Sequence, residues 1–147
     1  MSLNATASNA QLGSEICDIL RRWMWCDHAP TMHAEVAASL RSVGFQVRFE
    51  YPIRYLGGKR GGRIDLLITH GEARAALELD TRKPRKKSIA KLQSFDGYRI
   101  VGLRGVHWQE EIEGIDAVVC LKVRQAKATE LADRRTVKRS PHRRIAA

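Results

Sequence analysis

Apolar residues recur along this chain with two periods, and the switches between them mark its elements. Ile16, Ile19, Leu20 and Trp23 share one side of a helix predicted over about 14–26, with Arg21 and Arg22 on the other side. Ala29-Pro30 interrupts it. Thr31 reads as the cap of a second helix in which Met32, Val36, Leu40 and Val43 face a core and Gly44 is the stop. Glu35 lies on the edge of that stripe. From Phe45 to about Tyr55 the period drops to two, with Phe45, Val47, Phe49 and Tyr51 alternating against Gln46, Arg48 and Glu50, which predicts a strand. A glycine-rich loop over 57–62 carries Lys59 and Arg60 at its tip, and two more strands follow at 62–68 and 75–80. The connection 81–87 is basic, and Pro84 prevents helix there. A short helix is predicted over about 88–96, with Ile89 and Leu92 inward and Lys91 and Gln93 elsewhere, then a strand over 98–103. After a loop or short helix through 106–113, residues 115–123 form an almost continuously apolar strand, expected to be buried on both faces. A polar helix is predicted from Arg124 to about Ala132.

This order of elements implies an α/β or α+β domain: a mixed central sheet covered by helices. Residues 1–10 show no periodicity and are expected to be disordered, 11–133 form one domain with its core at about 31–123, and 134–147 form a basic tail. Charge sharpens the picture. The 147 residues hold 26 Lys and Arg against 16 Asp and Glu, a formal net charge of +10, which argues for a polyanionic partner. DNA is favoured over a membrane, because no apolar run is long enough to span one and no secretory signal is present. The three cysteines, Cys17, Cys26 and Cys120, are too scattered for a disulfide framework, which points to a reducing cytoplasm. Cys17, Cys26, His28 and His33 lack the spacing of a zinc site.

Against that basic background the placement of acids is informative. Asp65 interrupts the apolar strand 62–68, and Glu78 and Asp80 share one face of the strand 75–80, opposite Leu77 and Leu79. A turn centred on His70-Gly71 would set Asp65 across from Ala76 and make Glu78 its diagonal neighbour, at roughly 7–8 Å. Acids held that close disfavour one another's ionisation and call for a hard divalent cation, magnesium or manganese. A structural alternative for Asp65 is an ion pair with Arg63 or Arg82, and for Asp80 a cap on the turn before Thr81.

In these features the chain resembles the PD-(D/E)XK nuclease superfamily, whose fold is restriction-endonuclease-like. The resemblance covers about 31–123 and rests on the αβββαβ order, Glu35 in the leading helix, Asp65 in the second strand, Glu78-x-Asp80 in the third, and a following helix with Lys91 and Gln93. It implies a magnesium-dependent DNA endonuclease in which Asp65, Glu78 and the backbone carbonyl of Leu79 hold the metal, Glu35 completes the site, and Glu35 or Asp80 orients the attacking water. The family usually has lysine where this chain has Asp80, and Lys91 is the best migrated replacement, ahead of Lys83, Lys86 and Lys87. Gln93 and Tyr98 resemble, at different spacing, the Gln and Tyr of RecB-like nucleases. Lys59 and Arg60, with Arg82, Lys83, Arg85, Lys86 and Lys87 beside the acids, are candidate DNA contacts, and the basic tail adds sequence-independent affinity. Trp23 and Trp25 could furnish a homodimer interface. Two readings stand beside the nuclease: a degenerate nuclease-fold protein that binds DNA without cutting, and a basic RNA-binding protein with no metal site.

Overall fold

The computed structural model describes residues 3–55, 61–105 and 107–131, with side chains from residue 8 onward. Three helices and six strands follow in the order α1 (Leu3–Arg22), β1 (Met24–Cys26), α2 (Ala29–Ser42), β2 (Gln46–Ile53), β3 (Gly62–His70), β4 (Ala73–Asp80), α3 (Lys86–Gln93), β5 (Tyr98–Arg104) and β6 (Ala117–Arg124). One mixed sheet runs β1-β6-β5-β4-β3-β2. β1, β6, β5 and β4 are mutually parallel neighbours, and β3 and β2 are added antiparallel as a meander. The chain is thus a mixed α/β protein. Among the described residues no helix is long and apolar enough to cross a membrane.

The alternation of β4 decides which helix lies on which face. Ala75, Leu77 and Leu79 join Leu12, Ile16 and Leu20 of α1 and Met32, Val36 and Leu40 of α2 in the larger core. Ala76 faces the other way, into a smaller core with Leu67, Val101, Leu103 and, from and just after α3, Leu92 and Phe95. Glu78 and Asp80 share Ala76's parity and therefore rise on the α3 side.

Several boundaries differ from the pattern-based expectation. α1 begins at Leu3, so most of the stretch expected to lack structure is helical, and it ends at Arg22, where the chain enters β1. The three-residue β1 is too short to show a period. Within it Trp25 is buried and its indole N–H donates to the Leu20 carbonyl at 2.9 Å, so Trp25 is core and only Trp23 is exposed. Pro30 sits in the first turn of α2 instead of before it, a position where its missing N–H costs nothing. β6 is not buried on both faces: Val119 and Leu121 pack under α1, whereas Val118 and Cys120 are half-buried and Lys122 is exposed. The eight-residue α3 packs over β3, β4 and β5, and on that side of β6 Val118 joins Trp108 and Ile115 at the half-buried margin of the smaller core. Of the polar helix expected after Arg124, residues 125–127 are not helical and 128–131 are, and the described residues end there, so the basic tail lies outside them.

Candidate active site

The turn between β3 and β4 sets the register on which the site depends. Gly71, at φ +60, makes a two-residue connection with Glu72, and His70 pairs with Ala73. That shifts the pairing by two residues from a turn centred on His70-Gly71. Pairs run from His70↔Ala73 to Leu66↔Leu77, and one further step brings Asp65 opposite Glu78 itself instead of opposite Ala76. The ladder stops just before this step. Asp65 bridges the opening with its side chain, its Oδ2 accepting a hydrogen bond from the Leu79 N–H at 2.8 Å.

Glu78 is completely buried, 0 % exposed, and the 6 %-exposed Lys91 reaches it from α3. The Lys91 ammonium makes an ion pair with Glu78 Oε1 but directs its well-aligned hydrogen bond to the Arg63 carbonyl, at 2.7 Å. Neither Glu78 oxygen accepts a hydrogen bond of good geometry among the described residues. Burial pushes the Glu78 carboxyl up to about 8, the neighbouring Asp65 adds to the rise, and Lys91 opposes it. The side chain of Lys91 passes over Gly62, where a Cβ would lie 2.9 Å from Lys91 Cδ and 2.7 Å from Tyr55 Cε1, so glycine is what leaves the lysine its path. Nothing in the local pattern marks Gly62 or the Arg63 carbonyl as parts of the site, because their role is a tertiary contact.

Asp80, expected to act on the metal or the water, is committed elsewhere. Its Oδ2 accepts from the Arg85 N–H at 3.0 Å, and its Oδ1 accepts from Arg85 Nε at 2.8 Å and Ser88 Oγ at 3.0 Å. Arg85, the residue capping α3, offers no side-chain cap of its own, so Asp80 fixes the start of that helix from the end of β4. Its carboxylate in turn raises the pKa of the Arg85 guanidinium. Glu35 is also not with Asp65 and Glu78. Its Oε1 accepts from the Cys26 N–H at 2.7 Å, and its Oε2 from Arg124 Nη2 at 2.9 Å. Arg124 holds Glu130 as well, at 2.9 and 3.0 Å, and lowers the Glu130 carboxyl to about 2. This knot ties the ends of β1 and β6 together, and β6 is separated from β4 by β5.

Two of the three expected acids therefore converge, joined by the lysine from the following helix. Among the described residues no group of three or more His, Cys, Asp or Glu is placed to hold a metal ion. The pair fits a hard divalent cation in its chemistry: two facing carboxylates, one of them buried with unsatisfied oxygens, lack positive charge that Lys91 supplies only in part. Leu79 lies between Glu78 and Asp80 with its N–H given to Asp65. Gln93 donates to the Glu113 carbonyl at 2.9 Å and Tyr98 packs against Gly13, so neither joins the carboxylates. Cys17 and Cys26 are buried free thiols, and burial pushes Cys17 up to about 11. Of the candidate DNA contacts, Arg82, Lys83, Arg85, Lys86 and Lys87 are exposed, while Lys59 and Arg60 lie outside the described residues. Compared with known proteins, the chain matches no family model and no curated protein sequence.

Proposed function

We propose that this chain is a metal-dependent deoxyribonuclease with a restriction-endonuclease-like core, whose site is Asp65, Glu78 and Lys91. The observation that carries the proposal is the buried Glu78 carboxylate, without a well-formed hydrogen bond, facing Asp65 and touched by a lysine from the next helix. A fold rarely keeps such a group without a use, because an unsatisfied buried carboxylate is costly. Asp65 and Glu78 would hold magnesium or manganese, which when bound supplies Lewis-acid charge to the phosphate and an activated water. Lys91, fixed by the Arg63 carbonyl, offsets the negative charge that develops on the phosphate, a role worth about 3–4 kcal/mol in comparable sites. The exposed cations of 82–87 follow Asp80 directly and hold the DNA backbone beside the site.

A second reading, a protein of the same fold that binds DNA without cutting it, draws support from the gathering of two carboxylates instead of three. Incubation of supercoiled plasmid at low salt with magnesium or manganese separates the two, with EDTA and Glu78→Ala as controls. Metal-dependent nicking that E78A abolishes is the expected result. Tight binding with no nicking under any metal would favour the second reading.

A further inference from the structure

The strands that carry and flank Asp65 change face together at its level. In β2, Val47 belongs to the core under α1 and α2, and Arg41 of α2 lies over the Phe49 ring at 5.3 Å. Two residues on, Tyr51 packs with Ile53 into the opposite core under α3. In β3 the same happens: Leu66 and Ile68 face α1 and α2, whereas Ile64 faces α3. Regular strands keep residues two apart on one face, so each strand turns over once, between Phe49 and Tyr51 and between Leu66 and Ile64. The paired positions are Phe49↔Leu66 and Tyr51↔Ile64, which leaves Glu50 and Asp65 as the single unpaired step, with no residue inserted on either side. Glu50 stands at φ +54, alone among the described non-glycine residues in having a positive φ. A glutamate there opposes its own steric preference and persists only where the surroundings impose it.

We infer that Glu50 is the positioning residue for Asp65, and that its left-handed backbone, not its carboxylate, sets the turnover that brings Asp65 to the Leu79 amide. A strand without the turnover would carry Ile64 into the other core and aim Asp65 squarely out of the sheet, away from the gap between β3 and β4. The consequence for cleavage rests on the nuclease reading, but the geometry has its own reporter, the Leu79 N–H.

Hydrogen exchange of the Leu79 amide, normalised to Leu66, tests this in wild type, Asp65→Ala, Glu50→Gly, Glu50→Gln, Glu50→Ala, Glu50→Thr and Glu50→Val. Glycine tolerates a positive φ, glutamate, glutamine and alanine share one Cβ penalty, and the β-branched threonine and valine resist it most. Protection should fall on the order of tenfold in D65A and E50V, and stay within about threefold of wild type in E50G, E50Q and E50A. A folded E50V with wild-type protection at Leu79 would overturn the inference, as would loss of protection in E50G, E50Q or E50A. Should E50V not fold, E50T decides, since it must lose protection relative to E50A. Plasmid nicking by the same variants keeps the two ideas apart: wild-type nicking by D65A sinks the nuclease reading, while the exchange data still decide the role of Glu50.

Discussion

Glu78 is the residue at which stability and chemistry pull in opposite directions. Its ordinary value is 4.5, and burial with Asp65 alongside pushes it up to about 8 in the folded chain. Between those values the native state binds the proton that the unfolded chain has released, so stability falls as pH rises. The contribution is complete below about pH 4.5 and is lost as pH climbs through about 8. In the presence of a chelator, Glu78→Gln should therefore gain on wild type between pH 5 and pH 8, by on the order of 1–3 kcal/mol. Urea midpoints at the two pH values check it, and a constant difference between the proteins would contradict it. Asp65 and Glu78 are legible in the sequence because a carboxylate inside an apolar strand has few structural excuses. Lys91 is legible only as one lysine among several; its selection depends on Gly62 clearing its path and on the Arg63 carbonyl holding it.

At the scale of elements, Asp80 works as the fastening between β4 and α3. Removing its carboxylate leaves the Arg85 N–H and the buried Ser88 hydroxyl without their acceptor. Asp80→Ala should cost about 2–3 kcal/mol, the range for a lost cap combined with a buried donor left unpaired. It should leave the thermal stabilisation produced by added manganese intact. Urea denaturation and a metal-induced Tm shift measure the two effects separately, and an unstable wild-type-like response is the pattern that identifies a cap. Loss of the metal response at unchanged stability would instead make Asp80 a ligand. The alternation that put Glu78 and Asp80 on one face was legible from spacing alone, but spacing does not say what each carboxylate meets. Asp80 meets a helix start five to eight residues on, and Glu35 meets Arg124, which is 89 residues away. The strand register differs from the pattern-based expectation for a similar reason. Sliding a two-residue turn by one position moves every pair by two, and Gly71 in its left-handed conformation fixes where the turn begins.

Over the whole molecule the topology sorts charge toward opposite edges of the sheet. β4, β5 and β6 run parallel, and the end of β2 and the start of β3 share the edge at which they finish. Arg54, Arg63, Arg82, Lys83, Arg85, Lys86 and Lys87 lie at or next to that edge, near Asp65 and Glu78, while Arg104 and Arg124 at the same edge are paired with Asp27, Glu35 and Glu130. At the opposite edge Glu72, Asp96 and Asp116, in the β3–β4 turn and just before β5 and β6, offset Arg74 and Arg99 at the starts of β4 and β5. A chain polarised in this way would approach a polyanion with its site foremost, because steering depends on the distribution of charge as well as its sum. Each backbone phosphate that a cation neutralises releases counterions, so the affinity falls with salt at a slope of about 0.9 per contact on duplex DNA. Replacing Arg82, Lys83, Lys86 and Lys87 with alanine should then reduce the slope of log Kd against log salt by about 2–4, weakening all duplex sequences alike. None of the four side chains makes a described hydrogen bond or ion pair, and all are exposed, so the fold should be unaffected. Fluorescence anisotropy of labelled duplexes across a salt series supplies the measurement. An unchanged slope would move the binding surface away from this edge, and with it the reason for expecting a phosphate to come to rest beside Lys91.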